Sequence, residues 1–257
     1  MCILAIQYKL VNETPILVAE NREESYDRPS APPSIQSGKP RVLCGLDKLH
    51  GGTWLGVNQN GLLIGVCNRH RFRPPLEPKS RGVLCRELLR ANSARRAVDL
   101  CLEEVSTGNY NGANYVIADY ESAWCVHASD DYEVVQLQPG LSIVAGGDVN
   151  ELRDKRVKLA HRLLTLQTLD SPVKFLAVAS KVFARPSSGP GRPSMVVRDS
   201  GRGTVSSTLI ALGKKPRDAI YQFANGSPDQ TKYEDYSPLL RDILSRGLRE
   251  SRSKVKA

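Results

Sequence analysis

Gly51-Gly52-Thr53-Trp54-Leu55-Gly56-Val57-Asn58-Gln59-Asn60-Gly61-Leu62-Leu63-Ile64-Gly65-Val66-Cys67-Asn68 is the stretch on which the reading of the fold turns. Two apolar runs flank Asn60-Gly61, the dipeptide best able to adopt the positive φ angles of a type I′ turn. The stretch is therefore predicted to form a β-hairpin. Glycines at 51, 52, 56 and 65 point to close backbone approach, either to another strand or to a ligand.

Working outward, residues 3–8 and 16–19 are short apolar runs separated by Asn12-Glu13-Thr14-Pro15, which predicts a first hairpin. The Pro- and Ser-rich segment from Arg28 to Pro40 reads as an extended loop. Beyond the central hairpin, Ser80 caps a helical stretch, and a second helix is expected from Ala94 to Val105. Strand signals return at 114–119, 122–128, 133–137 and 141–145. Helices are expected at about 153–167 and 172–184, from the same periodicity. A strand pair near 195–198 and 204–212 turns at Gly201 and Gly203, and a last helix runs from Ser237 to Arg246. Strict βαβ alternation would imply a parallel sheet. Blocks of hairpins interrupted by helix pairs predict a layered α+β fold with the helices outside.

The chain has 257 residues, a net charge of +9 and ordinary hydrophobic and charged fractions of 40% and 25%. A large core is possible at this length, and no stretch approaches the run of about 18 apolar residues that a membrane span needs. The opening Met1-Cys2-Ile3-Leu4 has no basic flank and no cleavage site, so a cytoplasmic protein is expected. Six cysteines and four histidines show no metal-ligand spacing, so neither a metal nor a cofactor is predicted. Six Lys/Arg against two Asp/Glu fall in 241–257, which reads as a basic tail following a domain of residues 1–240. No nucleic-acid-binding motif accompanies the charge, whereas an anionic small molecule would benefit from it.

Cys2 is the first residue that suggests chemistry. Methionine before a small residue is a good candidate for removal, which would leave one residue carrying a thiol and a free α-amine. That amine titrates at about 7.7–8.0 and can take the thiol proton. Cysteine also packs as a small hydrophobe, so the same residue could simply open a buried strand. A second cluster, Ala19-Glu20-Asn21-Arg22-Glu23-Glu24, gathers an amide, a guanidinium and carboxylates at a strand end. An arginine there could orient a substrate carboxylate or lower the thiol pKa. A polar strand-to-loop transition would look the same.

Met1-Cys2-Ile3, Asn21-Arg22-Glu23-Glu24 and Gly51-Gly52-Thr53-Trp54-Leu55-Gly56 together resemble the NRDE family, which includes the transport and Golgi organisation protein 2 homologues. Gly65-Val66-Cys67-Asn68, Asn111-Gly112-Ala113-Asn114-Tyr115 and Arg202-Gly203-Thr204-Val205-Ser206-Ser207-Thr208 extend the resemblance over nearly the whole chain. Glu23 stands where the family motif has aspartate.

The resemblance implies an N-terminal-nucleophile (Ntn) hydrolase fold, a four-layer αββα sandwich of two stacked antiparallel sheets. It also implies a distant similarity to the choloylglycine hydrolase and penicillin V acylase group. On that footing Cys2 is the nucleophile, Arg22 and Glu24 orient the thiol and amine, and Asn68 supplies the oxyanion-hole amide. Asn21 contributes to substrate binding. Where relatives carry a Ser-Asn or Thr-Asn pair, this chain reads Gly146-Gly147-Asp148-Val149-Asn150, so a supporting amide is either missing or supplied by Asn150 as a substrate-binding residue. The implied activity is hydrolysis of a non-peptide amide. The alternative is a non-catalytic binding or trafficking protein for haem or acyl-coenzyme A type lipids.

Overall fold

A computed structural model describes residues 2–189 and 191–255. In chain order its elements begin with β1 (Ile3–Tyr8), β2 (Ile16–Ser25), β3 (Ser30–Gln36), β4 (Val42–Asp47), β5 (Leu55–Asn58) and β6 (Leu63–Asn68). Helices α1 (Arg81–Leu88) and α2 (Ala94–Val105) follow, then β7 (Ala113–Ala118), β8 (Ala123–Ala128), β9 (Tyr132–Gln136) and β10 (Gly140–Val144). The chain continues through α3 (Lys155–Leu164), α4 (Pro172–Phe183), β11 (Arg198–Asp199), β12 (Arg202–Leu212), β13 (Ile220–Ala224), β14 (Glu234–Asp235) and α5 (Ser237–Val255). Serine or aspartate side chains at 80, 93, 154 and 171 accept backbone N–H bonds at the starts of α1 to α4. Each satisfies a donor that the first helical turn leaves open.

The strands form two antiparallel sheets. One is a meander, β3 to β9 in chain order. The other runs β10-β1-β2-β12-β13-β14, with β11 paired to β12. Alternation along β1 and β2 assigns their two faces. Ile3, Ala5, Leu17 and Ala19 pack under α3 and α4 with Phe175 and Phe183. Leu4, Ile6, Ile16 and Val18 turn the other way, into a core shared with the meander and with α1 and α2. The result is the expected four layers, helix–sheet–sheet–helix.

The central hairpin forms as β5 and β6, with Leu55 opposite Gly65 and Val57 opposite Leu63. Its turn differs from the expected type I′, because only Gly61, and not Asn60, has a positive φ. Asn58 decides the geometry: its Oδ1 accepts from Asn60 N and Leu62 N, and its Nδ2 donates to Leu89 O and Ala91 O. A buried amide thus makes the turn and ties it to the end of α1. Close backbone approach is real at two of the glycines. A Cβ on Gly52 would stand 2.3 Å from the backbone of Gly82 in α1, and one on Gly65 would stand 2.7 Å from Leu4 of the facing sheet.

Two other expectations are corrected, and the partners of two strands are added. The segment from Arg28 to Pro40 holds the strand β3, which tolerates Pro32 and Pro33 because it is an edge strand with an irregular register between Ala31 and Ser34. Strands β9 and β10 do not pair: β9 ends the meander, and β10 crosses to pair with β1. The segment 241–257, expected as a basic tail, continues the predicted helix through Val255, and residues 256–257 lie outside the described residues. Helix α5 runs to Val255, buries Leu240, Ile243 and Leu244, and packs on β13 of one sheet and on β3, β4 and β5 of the other. Arg241 Nε donates to Ala219 O, and Glu250 accepts from Gln59 Nε2 at 2.7 Å. Arg246, Arg249 and Arg252 lie on the exposed outer face of this packed helix. No helix among the described residues is long and apolar enough to cross a membrane.

If α5 is an integral support, Ile243→Ala should destabilise the protein by about 2–5 kcal/mol in urea titration. Arg252→Ala, on the exposed face, should change stability by less than about 0.5 kcal/mol.

Candidate active site

The antiparallel pairing of β1 with β2 positions Cys2. Ile3 pairs with Asn21, so one step further Cys2 lies opposite Arg22. The Cys2 side chain belongs to the core between the sheets, and its Sγ accepts from Glu23 N at 3.4 Å and lies 3.8 Å from Glu23 O. Cys2 lines a cleft of about 270 Å³ together with Arg22, Glu24, Trp54, Asn68 and Arg81.

Alternation along β2 divides the polar cluster between two faces. Arg22 faces the cleft with its guanidinium 4.0 Å from the centroid of the Trp54 ring. It is 5% exposed and makes no hydrogen bond or ion pair to a described residue. Glu24 lines the same cleft, with its Oε1 accepting from Ser25 N at 2.9 Å. The Glu23 carboxylate is held by Arg156 Nη2 at 2.8 Å and by Thr204 Oγ1 at 3.2 Å. Asn21 turns toward the helices and donates to Phe183 O and Met195 O, both at 2.9 Å. That corrects its expected substrate-binding role: Asn21 holds α4 and the segment before β11 to the sheet.

Asn68, at the end of β6, lines the cleft, and its amide makes no hydrogen bond to a described residue. Asn150 is elsewhere. It adopts φ +57°, its Oδ1 accepts from Ile143 N at 2.8 Å, and it does not line the cleft. This is a second correction, since Asn150 closes the turn after β10 and supplies no active-site amide. The amide that fastens this loop is Asn114, whose Nδ2 donates to Ala145 O at 2.8 Å and Gly147 O at 2.7 Å. His127 Nδ1 lies 2.7 Å from Asn114 Oδ1, and Arg69 reaches Asp148 at 2.6 Å, so the glycine-containing loop is pinned to the meander. Of the histidines, His50 lines the cleft and the exposed His70 instead packs edge-on against Phe72.

Glu20, between the sheets, was not marked out by the sequence reading. It is fully buried, pairs in register with Thr208, and has no hydrogen-bond partner for either carboxylate oxygen. The hydroxyls of Thr208 and Ser206 beside it are equally unpartnered. Burial raises the Glu20 pKa well above the usual carboxylate range, with Arg22 opposing the shift. The same desolvation, reinforced by Glu23 and Glu20, pushes the Cys2 thiol up to about 12. With the chain intact ahead of it, Cys2 is a neutral thiol at physiological pH. The preceding residue, Met1, on whose removal the expected chemistry depends, lies outside the described residues.

Two stacked antiparallel sheets, with a cysteine at the head of the first strand beside a polar cleft, define the Ntn-hydrolase fold class. The solved structures similar to this chain agree. One is the Caenorhabditis elegans N-acylethanolamine-hydrolyzing acid amidase orthologue, with a TM-score of 0.53, 13% identity, and coverage of 82% of this chain and 92% of that one. Another is the penicillin V acylase of Agrobacterium tumefaciens, with a TM-score of 0.51, 12% identity, and coverage of 88% and 83%. At these identities the likeness speaks for the fold alone. A family profile described as Transport and Golgi organisation 2 matches residues 1–181, and the chain belongs to that family. The mouse Transport and Golgi organization 2 homolog is 30% identical over 132 residues, which are 48% of this chain and 47% of the mouse protein. The chain spans about half the length of the curated relatives it matches.

Glu20 yields a stability prediction with a definite sign. Its folded pKa is raised, so its favourable contribution is full at low pH and is lost as pH rises above the unfolded carboxylate value. Glu20→Gln should therefore raise the urea midpoint at pH 7.5 and leave it nearly unchanged at pH 4.

Proposed function

We propose that the protein is a cysteine-nucleophile hydrolase of non-peptide amide bonds, activated when Met1 is removed. The observation that carries this reading is the seating of Cys2 in the wall of a cleft that Arg22, Glu24 and Asn68 also line. The family membership and the amidase and acylase fold neighbours support it.

In this mechanism the freed α-amine of Cys2 takes the thiol proton, and the positive charge of Arg22 opposite favours the thiolate. The Glu23 backbone N–H holds the sulfur in place. The thiolate attacks the substrate carbonyl, and the Asn68 amide donates to the oxyanion that develops. The ammonium returns its proton to the departing amine, leaving a thioester on Cys2. Water, deprotonated by the same α-amine, then releases the carboxylic acid and regenerates the thiol. Glu24 and the Arg156-bound Glu23 carboxylate position the amine. We place this reaction in the cytoplasm, where the six unpaired thiols stay reduced, with a small-molecule amide as the substrate.

Intact-mass analysis of the native protein after treatment with an acyl electrophile should show Met1 absent and a single label on Cys2. The other five cysteines are buried packing thiols and should label far more slowly. Across a panel of N-acyl amides, Cys2→Ala should reduce turnover by at least about a thousandfold. Retention of Met1 on the native protein would sink the hydrolase reading. Haem or acyl-coenzyme A binding without any turnover would favour a carrier instead.

A further inference from the structure

We infer that Arg22, stacked on Trp54, is a subsite for a compact anionic group, a carboxylate or a phosphate, on the ligand that occupies the cleft. The inference rests on the amidohydrolase reading for the identity of the cleft, and adds the chemical class of what enters it.

Among the described residues, none answers the Arg22 guanidinium with a hydrogen bond or ion pair, although nearby carboxylates favour its charge through space. A buried cation is costly unless it is paired, so a guanidinium that is 5% exposed should be held by a carboxylate. None of the nearby carboxylates is in hydrogen-bond or ion-pair contact with it among the described residues. Asp47 is clamped by Arg28 through two bonds, at 3.1 and 2.8 Å, and also accepts from Leu49 N. Glu23 is committed to Arg156 and Thr204. Glu24 spends Oε1 on the backbone of Ser25. Glu20 lies deeper, between the sheets, where burial disfavours its charged form and neither oxygen reaches a hydrogen-bond donor. Arg22 is thus the cleft-wall guanidinium that has no acceptor among the described residues, whereas Arg28 and Arg81 each have one.

The geometry suits recognition of an anion. The Trp54 ring covers one face of the guanidinium at 4.0 Å, which leaves its N–H edge to donate in the plane. That edge matches two oxygens of a carboxylate or phosphate. Trp54 is itself fixed against Gly45, where an added Cβ would stand 2.5 Å from the ring, so the platform cannot easily swing away. Arg28, Lys79 and Arg81 line the same cleft against Glu23, Glu24 and Asp47, so the formal charges of the rest of the lining cancel and Arg22 supplies its net positive charge. A neutral amide would leave that N–H edge without a charged acceptor of its own. An anionic ligand supplies one.

The test uses Cys2→Ala, Trp124→Phe protein, which cannot form a thioester and keeps Trp54 as its one tryptophan. Hexanoate, hexyl phosphate and hexanamide are titrated while Trp54 emission is followed, with calorimetry in parallel. At least one anion should shift the emission and bind about tenfold or more tighter than hexanamide, and should weaken with added salt. The tighter of the two anions identifies the group as carboxylate or phosphate. Arg22→Gln should bring anion affinity down to that of the amide. Arg22→Lys, which keeps the charge but loses the flat fork, should fall between them. Because a buried substitution can impair folding, the anion-over-amide preference of the unsubstituted background stands as a test by itself. Equal binding of all three probes, no binding of any, anion binding without a Trp54 response, or a preference that survives Arg22→Gln would each overturn the inference. None of these outcomes depends on whether Cys2 reacts, which the labelling experiment on the intact cysteine reads separately.

Discussion

The pairing of β1 with β2 is the constraint on which the candidate site depends. It places a residue that precedes the first strand opposite the third polar residue of a strand more than a dozen positions away. Because strand side chains alternate, one register sets every assignment that follows. Cys2, Glu20, Arg22 and Glu24 fall toward the facing sheet, and Asn21 falls toward the helices. A slip of one residue would exchange the two sets and leave Arg22 among Phe175 and Phe183. Register is held by burial on both faces, with Leu4 and Ile6 on one side and Ile3 and Ala5 on the other.

Much of this architecture was legible in the sequence, and the reasons are local. Apolar runs around 3–8, 54–66 and 114–128 are too short for helices and too regular for loops, and the helices announce themselves by serine caps and by apolar spacing of three and four. Fold class followed from the order of these blocks. What escaped the reading was decided by distant partners. Asn58 sets its own turn because α1 offers two carbonyls, which no rule about Asn-Gly contains. β3 is a strand because an edge tolerates proline, and edges are properties of assembled sheets. Helix α5 runs beyond the expected Arg246, where Glu250 finds Gln59 near the end of β5, a partner that the basic composition of the segment does not reveal.

The site was legible to a lesser degree. Cys2, Arg22, Glu24 and Asn68 line one cleft, as the resemblance implied. Asn21 and Asn150 are structural amides, each satisfying backbone groups where chain segments meet. Alternation from Arg22 would have turned Asn21 away from the cleft before any coordinates existed. Nothing comparable was available for Asn150, whose left-handed conformation comes from the loop it closes. Glu20 was hidden for a different reason. A carboxylate in a polar motif looks exposed, and only the assembled sandwich shows that it is enclosed without a partner.

The pairing between β2 and β12 has a consequence in time as well as in space. Glu20 meets Thr208 across almost the whole length of the chain, whereas the meander from β3 to β9 is built from neighbours in sequence. Local contacts form early and distant ones late, because closing a long loop costs entropy before any contact rewards it. The meander can therefore assemble while the chain is still being made. The sheet that buries Cys2 is incomplete until β12 has emerged. During that interval the first hairpin has an unpaired edge and its leading residue is open to solvent. Any enzyme that trims the residue ahead of Cys2 has its best access then, before the finished sheet closes over a thiol that ends 5% exposed.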